Sequence, residues 1–212
     1  MTVRRLTLAT FALLASTFSS ANAASTQDAA RLHALLAMPY GSGLIGATNS
    51  ARLAWVERRN GIRNILISDG GAAPRKVTAY TQDDGTDLWG LALSPDGRTL
   101  AFVEGGDAEY PNNHAPNAGN AAVPGKETVR VLLPNGRTIT AGEGHGPVFS
   151  PDGRLLAFMR SGALLVGQPG QTPRVVMTTP GDITALHWSP DSNRLALEID
   201  RGSHSLIALW DA

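Results

Sequence analysis

The sequence predicts an all-β chain made of repeated antiparallel units. Three observations lead there. Ser-Pro-Asp followed by an apolar run occurs three times, in LALSPDGRTLAFVEGG, PVFSPDGRLLAFMRSG and HWSPDSNRLALEID, and a weaker copy, NSARLAWVE, precedes them. Aligned on one leucine, the copies place Leu53, Leu100, Leu156 and Leu195 at spacings of 47, 56 and 39 residues, periods typical of repeat architectures. Asn60-Gly61, Asn135-Gly136 and Ser161-Gly162 each stand between apolar runs, a strong hairpin signal.

Taken from the amino terminus, residues 1–23 read as an export signal. Arg4 and Arg5 supply the positive start, Leu6 to Phe18 the apolar stretch, and Ala21-Asn22-Ala23 the small-x-small pattern of a signal peptidase site, with cleavage between Ala23 and Ala24. The apolar stretch is shorter than the roughly 20 residues a spanning helix needs. Residues 24–43 form a lead-in segment, partly helical over Asp28 to Met38.

Residues 44–212 carry the repeats, at about 44–80, 88–141, 145–178 and 182–212. In the two clean copies one strand enters (WGLAL, GPVF), a turn follows, and a second strand leaves (TLAFVE, LLAFM). Pro95 and Pro151 pre-set φ for the first central position of a type I turn. Asp96 and Asp152 suit the next, and Gly97 and Gly153 take the positive φ that starts the second strand. Pro190 and Asp191 repeat the pattern without its glycine. LAFV, LLAFM and NILI are apolar on both faces, so each sheet needs cover on both sides. Sheets stacked face to face around an axis provide it, which is the β-propeller arrangement. The expectation is a partial β-propeller of about four blades, each of three to four antiparallel strands, the last lacking its outer strand.

Composition excludes several functions. Without the signal, 16 basic side chains face 18 acidic ones, and no basic stripe points to nucleic acid. No second apolar run reaches membrane length. There is no cysteine, so stability rests on burial and not on disulfides. No cofactor is expected.

The stretch VTAYTQDDGTDLWGLALSPDGRTLAFVEGGD, the Pro/Asn-rich insertion after it, and DRGSHSLIALWD following WSPDSNRLAL resemble the amino-terminal propeller of secreted peptidases of the prolyl oligopeptidase / dipeptidyl peptidase family. The resemblance covers about Leu36 to Asp211. TolB-type propellers share the Ser-Pro-Asp-Gly repeat; the Asp83-Asp84-Gly85 and Arg201-Gly202-Ser203-His204-Ser205 runs favour the peptidase branch. The resemblance implies a propeller of seven or eight blades, then an α/β-hydrolase domain with a Ser-His-Asp triad, the propeller admitting only short peptides. This sequence departs from that plan. It has about four blades, no Gly-x-Ser-x-Gly elbow and no paired-Glu segment, so no catalytic residue is assigned. The expected role is a non-catalytic, substrate-gating part of a serine-type peptidase, exported to the periplasm or outside the cell. Its partners would be a short peptide or a hydrolase domain. The alternative is a stand-alone TolB-like module that binds or scaffolds proteins.

Other polar residues read blandly. His33, His114, His145, His187 and His204 lack metal-ligand spacing. Asp83, Asp84 and Asp87 lack the distal Glu of a Ca²⁺ loop, and Arg58, Arg59 and Arg63 flank a hairpin tip. The insertion Gly105 to Glu127 exceeds the roughly 12–15 residues beyond which a structureless loop is either functional or disordered, and both readings stand here. Its Tyr110, Asn112, Asn113 and His114 are the candidate ligand-facing residues.

Overall fold

The structure, a computed structural model, describes residues 26–108 and 126–212. The expected cleavage site Ala23–Ala24 and the loop residues Tyr110, Asn112, Asn113 and His114 lie outside the described residues. Contacts divide the chain into residues 1–37 and 38–212. In the first unit, helix α1 spans Thr26–Leu36, with Asp28 in its first turn, where a carboxylate favours the helix dipole. No described helix is long and apolar enough to cross a membrane.

The second unit holds four antiparallel sheets in sequence order. Sheet 1 comprises β1 (Tyr40–Gly46), β2 (Arg52–Arg59), β3 (Ile62–Asp69) and β4 (Arg75–Lys76). Sheet 2 comprises β5 (Leu88–Leu93), β6 (Leu100–Glu104), β7 (Thr128–Leu132) and β8 (Thr138–Glu143). Sheet 3 comprises β9 (His145–Phe149), β10 (Leu156–Arg160), β11 (Ala163–Gly167) and β12 (Arg174–Thr178). Sheet 4 has three strands, β13 (Asp182–Trp188), β14 (Arg194–Asp200) and β15 (Ser205–Asp211). The first sheet starts at Tyr40, so the boundary expected between residues 43 and 44 falls inside a strand. YGSGLIG hides it, because glycine carries no strand preference.

Each sheet uses its two faces differently. Leu100 and Phe102 of sheet 2 pack against Ala54 and Val56 of sheet 1. Leu156 and Phe158 of sheet 3 pack against Ala101, Val129 and Val131 of sheet 2. Leu195, Leu197 and Ile199 of sheet 4 pack against Ala157 and Met159 of sheet 3. The aligned leucine therefore faces the preceding sheet, and the alanine after it faces the next. Leu100, Leu156 and Leu195 are 3%, 2% and 0% exposed, whereas Leu53 in sheet 1 is 44% exposed. At the position held by Val56, Val103 and Met159, sheet 4 carries the exposed Glu198.

The first strands of the sheets, β1, β5, β9 and β13, neighbour one another in that order. Their ends define two opposite faces of the unit. At one end lie the turns into the second strands. At the other lie the starts of the first strands and the insertion between β6 and β7.

Candidate functional site

The turn face is built three times over by the same atoms. In Ser94–Thr99 the Gly97 N–H donates to the Ser94 carbonyl at 2.7 Å, closing the turn. The Ser94 hydroxyl donates to Asp96 at 2.6 Å and accepts the Thr99 N–H at 3.0 Å. The Arg98 N–H also donates to Asp96. Ser150 and Asp152 reproduce this set, as do Ser189 and Asp191. Gly97 and Gly153 have φ of 73° and 74°. Ser192 holds the same left-handed geometry at 62°. Bonds to the serine hydroxyl, then to backbone N–H groups, hold the Asp152 carboxyl down at about 2, with Asp96 and Asp191 shifted the same way. These carboxylates are consumed by the turns and have no partner resembling a substrate site.

Neighbouring turns touch. The Asn49 N–H donates to the Pro95 carbonyl, and Arg52 donates to the Gly97 carbonyl while gripping Asp69 through two nitrogens. The Asp152 N–H donates to Ser192 Oγ at 3.0 Å.

The opposite face carries a buried polar and aromatic cluster. His145, at the start of β9, is buried, and its Nδ1 lies 2.8 Å from Oε2 of the buried Glu127. The His145 ring stacks on Trp89 of β5, with centroids 6.0 Å apart. Trp89 Nε1–H donates to the Gly105 carbonyl at 2.8 Å. Gly105 and Glu127 are the two feet of the insertion, so a single stacked pair holds both. Gly106 packs on Glu127 so closely that an added Cβ would stand 2.3 Å from Cγ, which only glycine permits.

Two ionic clusters flank this base. Arg63 meets Asp87 at 2.7 Å and Asp83 at 3.6 Å, and Arg58 meets Asp87 at 3.5 Å. The arginines beside the Asn60-Gly61 tip and the acidic run thus form one network joining the first and second sheets. Arg59 pairs instead with Glu57, and Asp84 caps the Thr86 N–H. On the same seam, beside Tyr80, Arg130 bridges Glu104 at 3.2 Å and donates to Thr140. Burial, then the Glu104 charge, pushes the Tyr80 hydroxyl up to about 12, so it stays protonated and donating.

An open groove on the same face runs along Gly162, Thr179–Asp182 and Asp200–Gly202. Beside it, Ser203 Oγ lies 3.0 Å from His204 Nδ1 in the exposed β14–β15 turn. Both residues are solvated on that turn, where hydration competes with activation of the hydroxyl. His33 and His187 are exposed. Among the described residues, no group of three or more His, Asp or Glu converges as a metal site.

Sequence reading placed the turn residues but not the role of Ser94, Ser150 and Ser189. The signal was present, since serine precedes proline in all three copies. It missed the Trp89–His145–Glu127 assembly because its members come from β5, β9 and the residue before β7, in two different sheets.

The chain matches no protein-family model and none of the curated proteins. Its structure is similar to solved propellers. TolB from Acinetobacter baumannii aligns with a TM-score of 0.55 at 15% identity, over 81% of this chain and 41% of that one. The chain is a β-propeller module. A prolyl endopeptidase aligns with a TM-score of 0.59 at 16% identity, over 86% of this chain and 29% of that one. The β-propeller domain of the Trilobed protease from Pyrococcus furiosus, described as having an open velcro topology, aligns at 0.56 and 12% identity, over 82% of this chain and 55% of that one. This propeller module therefore spans well under two thirds of each of these chains, and its four sheets are blades.

Proposed function

We propose that this module is the non-catalytic, substrate-gating part of an exported serine-type peptidase acting on short peptides. The observation that carries the reading is the rooted insertion. Its feet, Gly105 and Glu127, are fixed by Trp89 and His145 at the end of the blades where the first strands begin. A loop with its feet held at that rim would screen what reaches a partner domain, because loops positioned by a rigid scaffold carry selectivity. The likeness to a prolyl endopeptidase, in which inter-domain dynamics bears on catalysis and specificity, supports this. The hydrolase domain would lie outside these residues.

The test combines hydrolysis and binding. The purified chain should neither cleave aminoacyl-proline or dipeptidyl chromogenic substrates nor label with a serine-reactive fluorophosphonate. A photoactivatable short peptide should cross-link near Trp89, and an unlabelled folded protein should not compete. Turnover that fluorophosphonate titrates would overturn the non-catalytic part, and equal competition by folded proteins would overturn gating. The likeness to TolB favours a second reading, a protein-binding module. That outcome would support it.

A further inference from the structure

The outer strand of blade 4 departs from the other blades. In blades 1 to 3 the third strand is covered by a fourth. Among the described residues no strand pairs with β15 on the side away from β14. Half of its backbone N–H and C=O groups point to that side, ready to pair. The edge is also apolar. Leu206, Ile207 and Leu209 are 43%, 73% and 60% exposed, and LIALW holds no charge and no proline. Protective charges or prolines of the usual kind are missing from its centre.

We propose that β15 pairs antiparallel with β15 of a second copy of this chain. The strand is self-complementary in a way that fixes the register. Two-fold symmetry about Ala208 sets Leu206 against Trp210 twice, Ile207 against Leu209 twice, and Ala208 against itself. Every apolar residue then meets another, on its own face of the sheet. Ser205 of each copy faces Asp211 of the other, so no like charges meet. Shifting the centre to Ile207 sets Ser205 against Leu209, and shifting it to Leu209 sets Ile207 against Asp211. Aligned apolar cross-strand pairs stabilise a sheet and mismatched ones do not. Ile207 and Leu209 also lie on the uncovered face of blade 4, but Glu198 and His187 are exposed beside them and weaken that face as the contact. A contact of this kind buries less than the roughly 1,200 Å² of a stable interface, so a reversible dimer is expected.

Sedimentation equilibrium of the purified chain at rising micromolar concentration should show a monomer–dimer equilibrium. Ile207→Lys should raise the dimer dissociation constant at least roughly tenfold. Since Ile207 is largely exposed, melting of the dilute variant should be unchanged. The chain has no cysteine, so Ala208→Cys gives a clean reporter. A short bis-maleimide should link two Ala208→Cys copies and leave Leu53→Cys, on the uncovered face of blade 1, unlinked. A chain that stays monomeric would overturn the proposal. So would a dimer indifferent to Ile207→Lys, or one linked through residue 53.

Discussion

Nδ1 of His145 and Oε2 of Glu127 stand 2.8 Å apart across the seam between blades 2 and 3. Both side chains are almost wholly buried, so neither can exchange its partner for water. His145→Ala should cost about 3 kcal/mol, the lower end for orphaning one member of a buried pair. A double variant with Glu127→Gln should cost less than the sum of the singles. Urea titration of the four proteins measures it.

The serine before each proline sets a graded series. Ser150 is fully buried, Ser94 nearly so, and Ser189 less. Each hydroxyl serves one carboxylate and one backbone N–H. Replacement by alanine should cost about 1–3 kcal/mol by leaving buried groups unpaired, in the order Ser150, Ser94, Ser189. Thermal melts of the three variants give the ranking.

Acid should weaken the blades through the same turns. Asp152 is held at about 2 by Ser150 Oγ and the Arg154 N–H, and Asp96 and Asp191 are lowered likewise. A depressed carboxyl stabilises the fold above its ordinary pKa near 4, and that contribution fades as pH falls through the folded value. Stability should therefore drop between about pH 4 and pH 2. Asp152→Asn should flatten the decline, as read from urea midpoints against pH.

Ser192 occupies a glycine position. Its φ of 62° costs a non-glycine residue about 1 kcal/mol, yet its hydroxyl accepts the Asp152 N–H from the neighbouring blade. Ser192→Gly relieves the strain and loses the bond, so stability should hold within about 0.5 kcal/mol. Ser192→Ala keeps the strain and loses the bond, and should fall about 1 kcal/mol below wild type. Matched melting curves decide between these outcomes.

Phe158 and Trp55 occupy equivalent positions in blades 3 and 1. Phe158 is fully buried against blade 2, while Trp55 lies on the face that no described blade covers. Phe158→Ala should cost about 3–5 kcal/mol. Trp55→Ala should cost far less, near about 1 kcal/mol, by the same urea titration.

The blades were legible because their signals are local. Pro95-Asp96-Gly97 specifies its turn within a few residues, and Leu100 to Val103 shows apolar residues on both faces. Tyr40 to Gly43 was not legible, since three of the seven residues of β1 are glycine. The pairing of Arg63 with Asp87, and of His145 with Glu127, depends on which blades become neighbours. A tally of residue types along the chain cannot supply that. Both were read as solvated or packed groups, and the missing information was tertiary.

The division of each blade into a leucine face and an alanine face gives the arc a direction, like a row of bricks with studs above and sockets below. A duplicate of blade 3 placed after the original would meet a matching socket on one side and a matching stud on the other. An added blade would meet its neighbours through the same kind of seam, with different side chains in contact. The three seams therefore share one orientation along the chain.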